Sequence, residues 1–305
     1  MKIICIGECS LNIILGHDGK PRGSMPGGRI ANAAAIMARN KAEVLMASEA
    51  SADAVGDTVV RFLADAGVDI NSVDRFTEGR TALNVFVLPA EDADNASPSL
   101  TRYEQYPSEA FDIIWPRISA GDIVLFGGFY AIDPRMRPRM QRLLAYAAEQ
   151  KAVLVYLPGF LPQQEPRITR VMPQILENLE AADLVVTRDR DLSLIFGVDS
   201  GQTCYHNRID FYCRSLVNID AACAHIAYYS GKEMSCVDID PRICSTLLWN
   251  AGAVAGIVQT LAERHVAPAD LETPSADFRH AVLLAAALSA DARARDISDE
   301  WQLIS

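Results

Sequence analysis

The apolar residues near the start of this chain fall into short runs, separated by turns and by segments with helical spacing. The pattern predicts strands at 2–6, 11–15 and 44–47, and helices at 29–40 and 57–66. Gly67 directly follows the second helix, where glycine is the preferred stop residue. The chain is therefore predicted to open as a sheet crossed by helices.

Farther along, apolar runs alternate with helical segments. Further strands are predicted at 81–88, 100–106, 123–126, 153–156, 184–187, 226–229 and 235–239, and helices at 250–264 and 277–292. The strands at 123–126, 153–156 and 184–187 each follow a helical stretch, as in a parallel sheet covered by helices. We predict an α/β fold with a doubly wound, mostly parallel sheet, as a single domain over residues 1–305. The pair at 81–106 forms a hairpin apart from the core.

Charge and composition narrow the possible partners. The chain has 305 residues, half of them apolar, and its 28 basic and 39 acidic side chains give a net charge of −11. This charge repels nucleic acid and anionic membranes, and no apolar run reaches the roughly 20 residues that cross a bilayer. We expect a cytoplasmic protein with neither a nucleic acid nor a membrane as partner.

The cysteines and histidines do not predict a metal site. Seven cysteines without a Cys-x-x-Cys pair fit a reduced chain. Cys204, Cys213 and Cys223 recur along a region read as helical, which favours packing over chemistry. The five histidines show no metal-ligand spacing with one another or with cysteine.

Several short motifs occur along the chain in a particular order. They are Gly7-Glu8 after the first strand, Gly27-Gly28-x-x-x-Asn32, Val55-Gly56-Asp57, Ala66-Gly67-Val68-Asp69, Thr81-Ala82 at a strand start and Ala182-Asp183 before another strand. In this order and spacing the chain resembles the PfkB or ribokinase family of carbohydrate kinases, from about Ile3 to His265.

This resemblance implies a ribokinase-like domain with a small β-sheet lid over the sugar. Residues 11–23 and 81–106 would build the lid. The implied reaction is phosphorylation of a sugar or polyol hydroxyl by ATP with Mg²⁺. The implied substrate-binding residues are Asn12, Gly27, Gly28 and Asn32. Exposed lid strands in this fold commonly pair with a second copy, so a homodimer through the lid sheet is also implied.

The nucleotide end has its own candidate residues. The family's Asn-x-x-Glu element, which helps to organise magnesium and phosphates, aligns with Arg188-Asp189-Arg190-Asp191. Arg188 and Asp191 are therefore candidate cofactor-binding residues, as is Gly231 in the turn after the strand at 226–229. The arginines could instead belong to a solvated cap at a helix start, and we favour that structural interpretation.

The family's Gly-Ala-Gly-Asp signature is missing. It falls on Leu247-Leu248-Trp249-Asn250 or, one residue later, on Leu248-Trp249-Asn250-Ala251. Bulky side chains then replace the glycines that let a phosphate approach the N–H groups at a helix start. Asn250, at or next to the catalytic aspartate position, carries an amide that cannot accept a proton. Trp249 itself fits a core aromatic residue. We therefore expect the kinase activity to be weak or lost.

Two other functions stay open. The chain could be a non-catalytic regulatory protein that closes its lid over a small polyhydroxylated ligand, such as a sugar or a nucleoside. It could also be a scaffold that dimerises through the lid. Asn12 stands where the family usually carries a sugar-binding aspartate, so hydrogen bonding is kept there while the charge is lost.

Overall fold

The fold was analysed in a computed structural model. The structure describes residues 1–90, 99–106, 114–244 and 249–300, with side chains as far as residue 293. Residues 91–98, 107–113, 245–248 and 301–305, among them Leu247 and Leu248, lie outside the described residues.

Thirteen strands are found in these ranges. They are β1 (Ile3–Ile6), β2 (Ser10–Leu15), β3 (Pro21–Gly27), β4 (Val44–Ser51), β5 (Asp69–Phe76), β6 (Arg80–Val87), β7 (Ser99–Gln105), β8 (Ile123–Gly127), β9 (Val153–Leu157), β10 (Leu184–Arg188), β11 (Ser215–Asp220), β12 (His225–Ser230) and β13 (Glu233–Asp238).

The α-helices within the same ranges are α1 (Arg29–Arg39), α2 (Ala54–Asp65), α3 (Arg137–Glu149), α4 (Ile168–Ala181), α5 (Asp189–Phe196), α6 (Gly201–Cys204), α7 (Pro241–Cys244), α8 (Trp249–Glu263) and α9 (Ala276–Glu300). Short 3₁₀ turns at Phe129–Ala131 and Pro268–Leu271 and a π-helical turn at Tyr205–Ile209 connect them. Among the described helices, none combines the length and the apolar character needed to cross a membrane.

The main sheet has nine strands in the order β13-β12-β11-β10-β9-β8-β1-β4-β5. The seven strands from β11 to β5 are parallel, while β12 and β13 are antiparallel. β1, β8 and β9 are buried along their whole length, as their continuous apolar runs require in a sheet covered on both faces. The predicted doubly wound, mostly parallel α/β fold is confirmed.

Helices cover both faces of this sheet. Successive residues of β1 point to opposite sides, so Ile3 and Cys5 pack with α1, α2, α8 and α9, whereas Ile4 and Ile6 pack with α3, α4 and α5. Among the described residues the two cores lie on opposite faces of the sheet, which is the layered arrangement expected of an α/β domain.

A second sheet of four strands, in the order β3-β2-β6-β7, forms the lid. β2 pairs with β6 in parallel and with β3 antiparallel, and β6 and β7 form an antiparallel pair. The lid was predicted over 11–23 and 81–106, and its strands are close to those limits, although β3 continues to Gly27. This extension connects the lid directly to the start of α1.

One strand was missed by the sequence pattern. The region around Cys213 was read as helical, and this was wrong, because Ser215–Asp220 forms the fully buried strand β11. Its polar Asn218 obscured the apolar run. Asn218 lies opposite Thr187 of β10, and the Thr187 hydroxyl donates a hydrogen bond of 2.9 Å to the Asn218 side-chain oxygen. The partner strand thus satisfies the buried amide.

Candidate functional site

The carboxyl ends of the parallel strands and the inner face of the lid meet at one edge of the molecule. In open α/β sheets, ligands bind in the crevice at this edge. Arg102 of β7 connects the two parts: its Nη2 atom lies 2.7 Å from Oε2 of Glu8, which follows β1. Arg102 is only 3% exposed at its side chain, so this ion pair is buried between the lid and the main sheet.

A row of polar side chains crosses the lid. Asn12, Asn84 and Arg102 lie directly opposite one another on β2, β6 and β7, so their side chains share one face. Asn84 accepts a hydrogen bond of 2.9 Å from Nη1 of Arg102 and donates one of 2.9 Å to Oδ1 of Asn12. The row continues through Arg102 to Glu8, which places Asn12 in the same polar network as the main-sheet edge.

The Gly27-Gly28 turn brings the start of α1 into this network. A Cβ atom on Gly27 would lie 2.5 Å from Oδ1 of Asn12, and one on Gly28 would lie 2.2 Å from the backbone oxygen of Glu8. Gly28 also has a φ of 96°, a conformation that favours glycine. The Asn32 side-chain amide donates hydrogen bonds to the backbone oxygens of Pro26 at 3.1 Å and of Gly28 at 2.9 Å. The structure thus brings the four predicted substrate-binding residues together, and their contact with a ligand stays a prediction.

A narrow cleft lies between the lid and the main sheet, and its cavity volume of about 10 Å³ is enough for about one water molecule. We call it the lid cleft. Its lining residues are Glu8, Glu49, Glu104, Tyr106, Phe129, Tyr130, Asp133, Arg135 and Gln164. They come from the lid, from β4, and from the segments that follow β1, β8 and β9.

Two polar side chains in the lid cleft are buried without a partner. Glu49 is 3% exposed and Tyr130 is 4% exposed. Within the part of the chain that the structure describes, neither carboxyl oxygen of Glu49 nor the Tyr130 hydroxyl has a hydrogen-bond partner. Because an unsatisfied buried polar group costs about 1–3 kcal/mol, such groups in a cleft indicate a missing partner.

Burial sets the protonation state of these groups. Desolvation raises the pKa of Glu49 to about 9, against the opposing effect of Arg135. Burial also raises the pKa of Tyr130 well above its ordinary value. Both groups are therefore protonated at neutral pH, and each can donate a hydrogen bond as well as accept one.

The other end of the edge carries an arginine cluster, which we define as Arg29, Arg188 and Asp191. Nη1 of Arg29 lies 2.8 Å from Oδ2 of Asp191 and donates to the backbone oxygen of Pro158 at 3.1 Å. Nε of Arg188 lies 3.0 Å from Oδ2 of Asp191, and Nη2 lies 2.8 Å from Oδ1. Both carboxylate oxygens of Asp191 are thus engaged by guanidinium groups.

Asp191 is buried between two half-buried arginines, and all three groups remain charged. Burial alone would raise the pKa of Asp191, but the charges of Arg188 and Arg29 outweigh burial and lower it to about 2. Burial and the neighbouring Arg188 lower the pKa of Arg29 to about 10, which leaves it ionised at neutral pH. Its Nη2 atom is buried and without a hydrogen-bond partner among the described residues. The cluster therefore carries a net positive charge and one unused donor group.

The favoured cap interpretation of Asp191 holds in part. Asp191 accepts a hydrogen bond of 3.1 Å from the backbone N–H of Arg188 at the start of α5, so it caps the helix as proposed. The cap is not solvated, however, since the Asp191 side chain is 2% exposed. Arg29 directly follows the Gly27-Gly28 turn, far from Asp191 in the chain. A local sequence pattern therefore could not predict this ion pair.

Gly231 lies away from these residues. It forms the turn between β12 and β13. Because β12 runs antiparallel to β11, this turn lies beside Ser215 at the start of β11, whereas Arg188 pairs with Ile219 near its end. The prediction that grouped Gly231 with Arg188 and Asp191 is therefore corrected: Gly231 lies at the opposite edge of the sheet.

Asn250 lies in the first turn of α8, and Trp249 is buried in the core, as predicted. The Asn40 side chain at the end of α1 donates a hydrogen bond of 2.9 Å to Gln259 near the end of α8. The two helices therefore end together. Since α1 begins at the lid edge, α8, which packs along α1, begins on that side too.

Sequence reasoning missed the main groups of the lid cleft. The predicted strand at 44–47 stopped short of Glu49, which is the single charged residue of β4. Tyr130 follows the Gly127-Gly128 pair at the end of β8. A glycine pair directly after an apolar strand was a usable signal, since the Gly27-Gly28 pair also lies at this edge, against the backbone of Glu8.

Known proteins similar to this chain include members of one kinase family. A family model described as pfkB family carbohydrate kinase matches residues 2–208. No curated protein sequence matches the chain.

Solved structures share the fold over nearly the whole chain. A fructokinase from Vibrio cholerae O395 in apo form has a TM-score of 0.76 at 18% identity, covering 97% of this chain and 99% of its own. A fructokinase with bound ATP from Xylella fastidiosa has a TM-score of 0.74 at 19% identity, covering 98% and 93%. An aminoimidazole riboside kinase from Salmonella enterica, complexed with aminoimidazole riboside and an ATP analog, has a TM-score of 0.74 at 15% identity, covering 95% and 93%.

Proposed function

This chain belongs to the pfkB family of carbohydrate kinases, and from that premise we propose that it binds a small, neutral, polyhydroxylated ligand in the lid cleft, which must widen to admit it. We further propose that it transfers phosphate to this ligand slowly or not at all. The observation that carries the binding proposal is the pair of buried, unpartnered groups on Glu49 and Tyr130.

A polyhydroxylated ligand suits these two groups. Each hydroxyl of such a ligand both donates and accepts a hydrogen bond, as do a protonated carboxyl group and a tyrosine hydroxyl. Binding would satisfy groups whose isolation costs about 1–3 kcal/mol each. Glu8 and Gln164 also line the cleft, where the Gln164 amide donates a hydrogen bond of 3.1 Å to Glu8, and they offer further polar atoms.

The charge of the cleft favours a neutral ligand over an anionic one. Among its lining residues in the described ranges, four are acidic and one, Arg135, is basic. Arg135 is already paired with Asp133, and Arg102 is paired with Glu8. A phosphate ester would therefore meet acidic side chains without a free cation to compensate. The similar structures are named as fructokinases and as an aminoimidazole riboside kinase, so a free hexose or a riboside is the class to test first.

The start of α8 supports slow transfer. Asn250 presents an amide where a phosphoryl-transfer enzyme needs a proton acceptor near the attacking hydroxyl. Loss of a general base removes about 10²- to 10⁴-fold in rate. Trp249 is buried in the core beside Asn250, so its side chain occupies space that a glycine would leave open.

Of the family's two cofactors, ATP fits the arginine cluster and Mg²⁺ does not. The arginine cluster is suited to an ATP phosphate, because it has a net positive charge and an unused donor on Arg29. It does not suit Mg²⁺, since both oxygens of Asp191 are engaged by Arg29 and Arg188. We assign Mg²⁺ no residue in the arginine cluster.

A thermal-shift screen tests the binding proposal. We expect fructose or a riboside to raise the melting temperature of the wild-type chain, and the corresponding phosphate esters to raise it less. A Tyr130→Phe variant should lose most of the sugar-induced shift, while Tyr212→Phe, at a partly exposed tyrosine, should keep it. A shift of equal size in both variants, or stabilisation by phosphate esters alone, would contradict the proposal.

An ADP-release assay tests the turnover proposal. We expect a kcat below about 0.1 s⁻¹ with any sugar that binds, because a typical kcat is near 10 s⁻¹ and the missing base removes about 10²-fold or more. Asn250→Asp should raise the rate without changing the sugar-induced shift. A wild-type kcat in the usual range of kinases would show that another group acts as the base.

The lid-mediated homodimer also stays a proposal. β7 is an edge strand of the lid sheet, and Tyr103 on it is 59% exposed. Open edge strands with exposed apolar side chains invite pairing.

A further inference from the structure

The turn between β11 and β12 gathers three side chains with metal-binding atoms. Asp220 ends β11, His225 begins β12, and the two lie directly opposite each other in the antiparallel pair. Cys223 lies in the turn between them, and its backbone N–H donates a hydrogen bond of 2.9 Å to Oδ1 of Asp220. One carboxylate oxygen, the thiol sulfur and one imidazole nitrogen all lie within 4.8 Å of one another.

We propose that Asp220, Cys223 and His225 form a binding site for a borderline divalent transition-metal ion, of which Zn²⁺ is the best match. A tetrahedral zinc ion with bonds of about 2.0–2.3 Å holds its ligand atoms roughly 3.3–3.8 Å apart. The distances between the three atoms therefore need to shorten by no more than about 1.5 Å. A thiolate, an imidazole and a carboxylate are ligand types that zinc accepts.

The backbone around the three residues is already held in place for binding a metal ion. β11 is hydrogen-bonded on both sides, to β10 and to β12, so Asp220 and His225 are held by a central strand pair. The turn is tight, and Ala224 between Cys223 and His225 has a φ of 51°, which is uncommon for a residue with a Cβ. Three ligands within six residues of one hairpin lose little further conformational freedom on binding.

The site is open to solvent, and its ligand atoms favour a transition-metal ion over Mg²⁺. Cys223 is exposed and His225 is half-buried, so an ion can reach the site from solvent. Mg²⁺ prefers oxygen ligands and octahedral geometry, whereas a sulfur and a nitrogen ligand select a softer ion. Three protein ligands also leave one coordination position open.

The position in the sheet links the site to the arginine cluster. β11 is the neighbour of β10, whose last residue is Arg188. A bound cation would thus lie at the carboxyl end of β11, next to the carboxyl end of β10. It would hold the β11–β12 turn beside Arg188. We expect metal binding to stabilise this end of the sheet.

Metal uptake by the untagged, full-length chain tests the site. After incubation with Zn²⁺ and gel filtration, we expect about one zinc ion per chain by elemental analysis. Co²⁺ should give the near-ultraviolet absorption of a sulfur-to-cobalt bond. Cys223→Ser and His225→Gln should each weaken Zn²⁺ binding by at least about 100-fold, since loss of even a supporting residue costs about 10–100-fold.

Cys236→Ser is the matched control, because Cys236 is another exposed cysteine outside the three-residue group. It should bind Zn²⁺ like the wild type. Circular dichroism and the melting temperature without metal show whether each variant is folded, and Asp220→Asn provides a further ligand variant. Equal Zn²⁺ binding in Cys223→Ser and the wild type, no uptake by the wild type, or a Co²⁺ complex without the sulfur band would each overturn the proposal. None of these outcomes depends on whether a sugar binds in the lid cleft.

Discussion

The lid cleft and the arginine cluster lie at the same edge of one sheet, but their buried polar groups are satisfied to different degrees. In the lid cleft, Glu49 and Tyr130 are buried without hydrogen-bond partners in the described part of the chain. In the arginine cluster, Asp191 receives hydrogen bonds from two guanidinium groups and from one backbone N–H. One region lacks a partner that a ligand can supply, and the other has largely found its partners within the protein.

This difference distinguishes polar groups that can bind a ligand from polar groups that stabilise the fold. A buried carboxyl group without a cation becomes neutral, because burial disfavours its charged form. A buried carboxylate between two arginines stays charged and becomes part of the framework. Glu49, with a pKa raised to about 9, and Asp191, with a pKa lowered to about 2, show these two outcomes within one site.

The largest expected effect is on the stability of the arginine cluster. Asp191→Ala leaves Arg29 and Arg188 as half-buried cations without their shared, buried partner. We expect the free energy of unfolding to fall by about 3–5 kcal/mol, the cost of breaking a buried ion pair by removing one partner. Urea-induced unfolding followed by circular dichroism measures this change.

Asp240→Ala is the control for that experiment. Asp240 pairs with Arg242, and the Arg242 side chain is 91% exposed. We expect little change in stability, because exposed ion pairs are screened by water. Similar losses in the two variants would show that the arginine cluster is no more structural than a surface pair.

The next effect is on the pH dependence of stability. The pKa of Glu49 in the folded chain, about 9, lies above the value of about 4.3 for an unfolded chain. Between these values the folded chain holds a proton that the unfolded chain has lost. Stability therefore falls as pH rises, by about 1.4 kcal/mol per pH unit, or about 3 kcal/mol from pH 6 to pH 8. We expect Glu49→Gln, which does not titrate, to remove this part of the slope in urea unfolding at each pH.

Glu43→Gln is the matched control, since Glu43 is an exposed acid just before β4. It should keep the wild-type slope. If Glu49→Gln unfolds with the same pH dependence as the wild type, Glu49 is not protonated in the folded chain. The lid cleft would then be more strongly anionic than we propose.

The smallest expected effect is on the affinity of the lid cleft for a sugar. Tyr130→Phe removes one hydroxyl group that has no partner in the described structure. We expect sugar affinity to fall by about 5- to 10-fold, or about 1–1.5 kcal/mol, as for one lost hydrogen bond. Stability without sugar should not fall, because no hydrogen bond within the described protein is lost. Isothermal titration calorimetry measures the first quantity and urea unfolding the second, and a loss of stability alone would make Tyr130 a structural residue.

Much of the fold could be predicted from the sequence, because its strands are short apolar runs between helical segments. β1, β8 and β9 are buried on both faces and carry no charged residue. β11 was missed because the partner of Asn218 is Thr187, about 30 residues earlier in the chain. A pattern confined to one segment contains no information about such a partner.

The candidate site was predicted only where its contacts are local in the sequence. Gly27-Gly28 and Asn32 are local, and they form the turn that their sequence indicates. Glu49 was passed over, since its role depends on the lid that covers it. Gly231 was placed at the wrong edge, because only the direction of β12 decides where its turn lies.

By itself, the sequence determined the α/β architecture and the ordered motifs whose resemblance implied the lid and the pfkB family. These depend on residue type, spacing and periodicity, which act over a few neighbouring residues. Only the tertiary structure decided that burial raises the pKa of Glu49 and that Asp191 is held between Arg29 and Arg188. Burial and charge pairing depend on which distant segments meet, because desolvation and Coulomb interactions act through space rather than along the chain.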